Sequence, residues 1–211
     1  MIGDFTLNAM TPPQPVGWLE VELAPYITER LQSYIKTAEE NPEIVSNLLA
    51  GNISKSLNLE DKDGWFYKTV LSKLIVEFAE SYPDNYISDD PFTHSLWVNY
   101  QKETEFNPFH SHGGVFSFVV WIKIPTDWRE QHALPISANS NLPCASDFEF
   151  VYTTMLGDIT RYRYTLDDES EGRMLFFPAK LKHSVYPFYN CDKERISISG
   201  NIWYDTNNNI D

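Results

Sequence analysis

The stretch Phe109-His110-Ser111-His112-Gly113 is the most informative part of this sequence, because it places two imidazoles one residue apart after a predicted strand. Residues i and i+2 of an extended segment point to the same side, so His110 and His112 are expected to face one cavity. A third histidine, His183, follows another predicted strand. Imidazoles are borderline ligands that suit iron, zinc, nickel or copper. A lone His-x-His pair is common by chance, but the three histidines together predict a metal site.

A second pattern lies near the C-terminus, where polar and apolar residues alternate. The polar positions are Arg195, Ser197, Ser199 and Asn201, and the apolar ones are Ile196, Ile198 and Ile202. Either the polar face meets water, or it faces an internal cavity while the isoleucines pack under helices. In the second case Arg195 would grip a carboxylate through its planar fork, and Ser197 could add a hydroxyl. We interpret Arg195 as the residue that grips the far end of a dicarboxylate cosubstrate, while a polar face exposed to water stays open.

Size and composition narrow the class of protein. The 211 residues suit a single domain, and an apolar fraction of 42% allows a substantial core. A net charge of −14 repels phosphate backbones, so we expect no nucleic-acid partner. We expect neither a signal peptide nor a membrane span. Cys144 and Cys191 show no disulfide or metal spacing, which favours a cytoplasmic protein with free thiols. The oligomeric state, including a homodimer, stays open.

The order of predicted elements indicates the fold class. Apolar residues recur at helical spacing over residues 25–40 and 65–82. Short runs rich in β-branched and aromatic residues then predict strands over residues 93–100, 115–124, 147–153, 159–166, 173–177, 184–188 and 195–204. We therefore expect a mainly β domain over residues 1–211. Its helical support region would be residues 1–90, with helices packed on one sheet of a jelly-roll core over residues 91–206.

One segment within the core, residues 125–145, is long and irregular and contains three prolines. Long structureless loops in compact domains tend to be lids or binding loops. We predict that this loop is mobile without ligand and closes over the site. The alternative, that it is an ordinary surface loop with no role at the site, stays open. Two other histidines, His94 and His132, have no partners at metal spacing and are expected to be structural.

Short motifs follow one another in a fixed order over about residues 95–204. They are Trp97-Val98-Asn99-Tyr100, Asn107-Pro108-Phe109-His110-Ser111-His112, Val119-Val120-Trp121-Ile122-Lys123-Ile124-Pro125, Gly172-Arg173-Met174-Leu175-Phe176-Phe177-Pro178, His183, and Glu194-Arg195-Ile196-Ser197-Ile198-Ser199-Gly200-Asn201. Together they resemble the iron(II)- and 2-oxoglutarate-dependent oxygenases, within them the prolyl-hydroxylase-like group with relatives in marine bacteria and their phages. The resemblance implies a double-stranded β-helix core.

The resemblance also implies roles for single residues. His110 and His183 would be iron ligands, and Arg195 and Ser197 would bind the distal carboxylate of 2-oxoglutarate. Tyr100 would line the cosubstrate pocket. The implied cofactors are Fe(II) and 2-oxoglutarate, with ascorbate as an optional addition. The implied activity is hydroxylation of a peptide, amino acid or small metabolite, with release of succinate and carbon dioxide.

The sequence departs from the family pattern at His112. The usual metal triad consists of two histidines and one carboxylate, and the carboxylate normally stands at this position. Either His112 is the third ligand, or a carboxylate such as Glu105 or Asp127 completes the site. Two other functions also stay open. One is a non-catalytic metal- or ligand-binding module on the same fold. The other is a three-histidine dioxygenase that uses no 2-oxoglutarate, which would leave Arg195 without a role.

Overall fold

The computed structural model describes residues 17–83, 87 and 91–205 of the chain. Its strands are β1 (Leu19–Glu22), β2 (Lys55–Leu59), β3 (Phe92–Gln101), β4 (Asn107–His110), β5 (Phe116–Lys123), β6 (Phe148–Thr153), β7 (Ile159–Tyr164), β8 (Arg173–Pro178), β9 (Lys182–Val185) and β10 (Arg195–Tyr204). Its helices are α1 (Pro25–Glu40), α2 (Ser72–Ser81) and α3 (Trp128–Ala133). In this part of the chain, no helix has the length and apolar character that crossing a membrane requires.

The strands form two antiparallel sheets. The larger sheet has six strands in the order β1-β8-β5-β10-β3-β2, and the smaller has four in the order β4-β9-β6-β7. Apart from the pairs β2–β3 and β6–β7, neighbours in each sheet are not consecutive in sequence, as expected for a chain that winds back and forth between two sheets. The fold is mainly β with supporting helices, as the sequence predicts.

The larger sheet buries one face under α1 and α2. Helix α1 contributes Leu31 and Ile35 to this core, and α2 contributes Phe78. Val98 comes from β3 and Ile198 from the neighbouring strand β10, and both are fully buried. The helices thus cover the apolar face of β10, and its polar face is left for the space between the sheets.

A second core lies where the two sheets face each other. Its members are mostly large aromatic and aliphatic residues from β5, β6, β7 and β8, and they include Trp121, Phe148, Phe150, Tyr164 and Phe177. Each large aromatic side chain removes about 150–250 Å² from water, so this cluster holds the sheets together on one side of the space between them.

The structure corrects several sequence predictions. The second predicted helix begins as a π-helical turn at Tyr67–Leu71 before α2. Strands β1, β2 and β4 were missed because they are short and carry polar or proline residues. Because β1 and β2 join the larger sheet, the region before residue 91 is more than a helical support. Helix α3 lies inside the segment expected to be irregular, where the Asp127 side chain caps its N-terminus.

Gly200 on β10 provides a test of this packing. A Cβ atom there would lie 2.4 Å from the Ser95 carbonyl oxygen and 2.4 Å from the Phe118 ring. We expect Gly200→Ala to lower the free energy of unfolding by roughly 1–3 kcal/mol, as overpacking typically does. Urea denaturation measures this change. Gly113→Ala is the matched control, because its nearest contact would be an ordinary 3.6 Å to Trp203. Equal stability of the two variants would contradict the packing described.

Candidate metal centre

Three histidine side chains converge between the two sheets. His110 ends β4 and is paired in register with His183 of β9. His112 lies two residues further on, where its backbone N–H donates to the Ala179 carbonyl at 2.8 Å. One nitrogen from each ring falls into a group whose atoms all lie within 4.8 Å of one another. The structure therefore brings together the three histidines that the sequence singled out.

Backbone carbonyls orient two of the rings. Nδ1 of His110 lies 2.6 Å from the Pro108 carbonyl, and Nδ1 of His183 lies 3.0 Å from the Leu181 carbonyl. A carbonyl only accepts, so Nδ1 carries the proton in both rings and Nε2 keeps its lone pair. Metal-binding histidines are commonly held in this way. Both rings therefore present a metal-ligating atom to the space between the sheets.

The third ring completes the donor set. His112 Nε2 lies 3.2 Å from His183 Nε2, which is the spacing of two ligands around one cation. Burial lowers the pKa of His112 to about 4. The pKa of His110 is also lowered, mainly by burial, and that of His183 lies well below its usual value for the same reason. All three rings are therefore neutral near pH 7, which is the form that binds a metal ion.

Neither alternative carboxylate takes part. The Glu105 carboxylate accepts the backbone N–H groups of Ser54 and Lys102, at 3.0 and 2.9 Å. The Asp127 carboxylate accepts from the backbone and side chain of Arg129. Within the described part of the chain, the one group with metal-site geometry contains no acidic residue. The donor set is three neutral imidazoles, which fits iron, nickel, zinc or copper.

The histidines line a cavity of about 280 Å³. Its wall includes four side chains of the polar face of β10, namely Arg195, Ser197, Ser199 and Asn201. This confirms the second interpretation of the alternating pattern, in which the polar face is internal. Arg195 is the only formally charged side chain among the described lining residues.

Arg195 is 2% exposed and has no carboxylate within ion-pair distance among the described residues. Its terminal nitrogens donate to Gln101 and Ser146, whereas its Nε is buried without a hydrogen-bond partner. Burial lowers the pKa of Arg195 to about 10, so the side chain stays charged at pH 7. A buried charge without a counterion is unfavourable. The cavity is therefore suited to an anion.

The prediction that Tyr100 lines the cosubstrate pocket is wrong. Antiparallel partners share a face, and Tyr100 is paired with Ile196 on the helix-covered side of the sheet. Its hydroxyl donates to Glu39 on α1 at 2.8 Å. The neighbours Asn99 and Gln101 line the cavity in its place. The sequence analysis missed them, although both alternate with Tyr100 along β3 and so were expected on the opposite face of the strand from it.

The segment 125–145 does not contribute any residue to the cavity wall that the structure describes. The segment before β2 lines the cavity instead, through Leu48, Leu49, Ala50, Gly51 and Ile53. Closure of the 125–145 loop over the site stays a prediction. The histidines expected to be structural are hydrogen-bonded elsewhere, His94 with Asp61 and His132 with Asp147.

Comparison with known proteins identifies the family. Residues 95–201, about half of the chain, match the model of the family described as "Putative 2OG-Fe(II) oxygenase". The chain belongs to this family of 2-oxoglutarate- and iron(II)-dependent oxygenases. The region that matches the family model contains the three histidines and Arg195. It is an enzyme that uses iron(II) and 2-oxoglutarate. No curated protein sequence matches the oxygenase.

Solved structures agree on the fold. A prolyl-4-hydroxylase from Pseudomonas putida aligns with a TM-score of 0.55 at 12% identity, covering 90% of this chain and 94% of that one. A prolyl hydroxylase from Trichoplax adhaerens, in complex with a hypoxia-inducible factor peptide fragment, aligns with a TM-score of 0.56 at 12% identity, covering 90% and 84%. These likenesses place the oxygenase on the double-stranded β-helix fold.

We expect the purified oxygenase to bind one divalent metal ion per chain. Nickel and zinc should bind more tightly than iron(II), following the order of affinities for imidazole ligands. His183→Ala should abolish binding, because it removes the most buried ligand of the three. Calorimetric titration of metal-stripped protein measures both. His94→Ala is the matched control, since it removes a histidine outside the cavity and should keep the stoichiometry. Parent-like binding by His183→Ala would exclude this site.

Proposed function

We propose that this oxygenase hydroxylates a peptide, amino acid or small metabolite, with its metal held by His110, His112 and His183. The observation that supports this best is a single cavity that contains both the three neutral ring nitrogens and the buried, unpaired charge of Arg195. Bound iron(II) and 2-oxoglutarate would supply the oxidising chemistry, with release of succinate and carbon dioxide. The residues of the chain would bind and orient the cosubstrate and the substrate, and they would exclude water from the cavity.

Arg195 and Ser197 are the residues proposed to hold the distal carboxylate of 2-oxoglutarate. Both face the cavity from β10, and Nε of Arg195 is an unused donor. A carboxylate oxygen placed against Nε would satisfy that donor and neutralise the guanidinium. The hydroxyl of Ser197, two residues along the same face, can donate to the same carboxylate. The keto acid end is then left for the metal.

The net charge of the cavity with metal and cosubstrate bound supports a limit on the charge of the substrate. The divalent cation and the doubly charged cosubstrate cancel, so the positive charge of Arg195 is left over. With a carboxylate in place of His112, that charge would be neutralised. The described lining residues contribute no acid. We therefore propose that the substrate group near the metal is neutral or anionic, because a cation would be repelled in a poorly solvated cavity.

The size of the cavity indicates how the substrate is presented. A volume of about 280 Å³ lies just below the range of roughly 300–1,000 Å³ that is typical of ligand pockets, and 2-oxoglutarate would occupy much of it. The substrate would then insert one small group past Leu48 and Leu49. This requirement suits a side chain of a peptide as well as a free metabolite.

Composition supports the remaining parts of the proposal. The net charge of −14 disfavours nucleic acid as the substrate. Cys144 and Cys191 are both free, which is consistent with a reducing, cytoplasmic location. The alternative of a three-histidine dioxygenase without 2-oxoglutarate is disfavoured, because it gives no purpose to the unpaired Nε of Arg195.

Truncating Arg195 tests the cosubstrate site. Loss of one member of a buried charged pair costs on the order of 2–5 kcal/mol, so Arg195→Ala should weaken 2-oxoglutarate binding by roughly 30-fold or more. Arg195→Lys should restore only part of the affinity, since a point charge lacks the planar fork. Metal affinity should not change in either variant. Calorimetry with zinc added first and 2-oxoglutarate second resolves the two steps. Parent-like binding of 2-oxoglutarate by Arg195→Ala would refute the anchoring role.

Turnover tests the activity and the charge restriction together. Succinate formation should require iron(II) and 2-oxoglutarate, and ascorbate can be added to each reaction. Across a panel of prolyl, asparaginyl, aspartyl and lysyl peptides of one length, stimulation should come from the neutral or acidic members. Oxidised products are measured by mass spectrometry. Stimulation by the lysyl peptide alone would refute the charge argument, and no succinate with any substrate or without one would favour the non-catalytic module.

A further inference from the structure

Ser146 holds the guanidinium of Arg195 with both of its oxygen atoms. The Ser146 carbonyl accepts from a terminal nitrogen of Arg195 at 2.9 Å, and its Oγ accepts from the same nitrogen. Ser146 is fully buried and comes from the loop before β6, outside all the family motifs of the sequence. The contact therefore joins Arg195 of the larger sheet to a loop that enters the smaller one.

The direction of these hydrogen bonds can be assigned. A guanidinium only donates, so the Ser146 Oγ must accept from Arg195. Its own hydroxyl proton is then free to donate to Oγ1 of Thr126, which lies 3.0 Å away in a buried position. The Ser146 hydroxyl thus links Arg195 to Thr126 in one buried chain of hydrogen bonds. Hydrogen bonds joined in such a chain polarise and strengthen one another.

Gln101 fixes the other terminal nitrogen. Its Nε2 donates to the Glu105 carbonyl at 2.6 Å and lies 3.4 Å from the Tyr186 carbonyl, so its Oε1 is turned toward Arg195 at 3.5 Å. The guanidinium carbon also lies 5.2 Å from the centre of the Phe188 ring. Both terminal nitrogens of the guanidinium are therefore engaged by the protein, and Nε is the one nitrogen that has no protein partner.

The backbone of Ser146 indicates that its position is demanding. Its φ is 75°, in the left-handed region that non-glycine residues seldom adopt. The conformation is held by Ser146 N–H donating to the Pro187 carbonyl and by a turn in which Asp147 N–H donates to the Cys144 carbonyl. A glycine would fit here without strain but would lack the hydroxyl. Strain of this kind is retained where the surrounding structure or a site requires it.

We propose that Ser146 is a positioning residue for 2-oxoglutarate, which holds the Arg195 guanidinium in the orientation that turns its free Nε toward the distal carboxylate. The inference rests on the proposed anchoring role of Arg195. Ser146 itself does not touch the cosubstrate. It acts before binding, because a guanidinium already fixed in place loses little further rotamer freedom when the carboxylate arrives.

The test uses Ser146→Gly and Ser146→Ala, which both remove the hydroxyl and keep the carbonyl. Immobilising one long side chain costs an amount equivalent to about a two- to tenfold change in affinity, so both variants should weaken 2-oxoglutarate binding by about that factor. Binding is measured by calorimetry on zinc-loaded protein, with zinc affinity unchanged. Parent-like affinity in both variants overturns the proposal. Weakening in Ser146→Gly alone overturns it as well, since backbone freedom would then be the cause.

A double-mutant cycle separates positioning from general damage. If Ser146 acts through Arg195, then Ser146→Gly should have no further effect on 2-oxoglutarate binding in an Arg195→Ala background. An undiminished effect there overturns the proposal. The cycle also separates the anchoring role of Arg195 from the positioning role of Ser146. Parent-like binding by Arg195→Ala alone refutes the proposed anchor, whereas a weakened Arg195→Ala with parent-like Ser146 variants refutes only the positioning role.

Ser170→Ala is the matched control for stability. Ser170 is also a buried serine, at 2% exposure, but its hydroxyl accepts from the Asp167 backbone in a short helical turn away from the cavity. It should lower the melting temperature without changing the affinity for 2-oxoglutarate. Equal weakening of 2-oxoglutarate binding by Ser170→Ala would show that lost stability explains the Ser146 result and would overturn the proposal.

Discussion

The alternation of side chains along β10 is the constraint on which the rest of the structure depends. This strand lies between β3 and β5 in the larger sheet and is paired with both over most of its length. Ile198 and Ile202 pack under the helices, and Arg195 and Ser197 face the cavity. A shift of one residue would exchange the two sets. The helix-covered core and the polar wall of the cavity are therefore specified by the same strand pairing.

The buried charge of Arg195 explains much of the polar structure around it. Without a carboxylate within ion-pair distance in the described chain, its charge is stabilised by the Ser146 and Gln101 oxygens and, at longer range, by Asp147. Burial raises the pKa of Asp147 to about 6, and His132 stabilises its ionised form. Neutral acceptors satisfy hydrogen bonds without cancelling the charge. The arrangement holds the guanidinium in place while keeping it attractive to an incoming anion.

The sequence was informative where a periodic pattern carried the signal. The same-side geometry of His110 and His112 and the alternation of β10 predicted both halves of the site. Tyr100 was misplaced because its role was taken from the family resemblance, although its partner Ile196 belongs to the apolar set. Ser146 could not be predicted, because its left-handed backbone depends on bonds to residues distant in sequence. Short strands such as β2 contain too few residues for the alternation of apolar and polar side chains to be recognised in the sequence.

The proposed metal ligands and Arg195 belong to different sheets, so the gap between the sheets sets the distance that a cosubstrate in contact with both would have to span. His110 and His183 are on β4 and β9 of the smaller sheet, whereas Arg195 is on β10 of the larger one. The separation between metal and guanidinium is therefore set by how closely the sheets approach, and the inter-sheet cluster around Trp121 and Phe148 determines that approach. Close-packed aromatic residues resist compression. If Arg195 anchors the cosubstrate as proposed, the length of dicarboxylate that reaches from the metal to the guanidinium follows from core packing far more than from the segments at the mouth of the cavity.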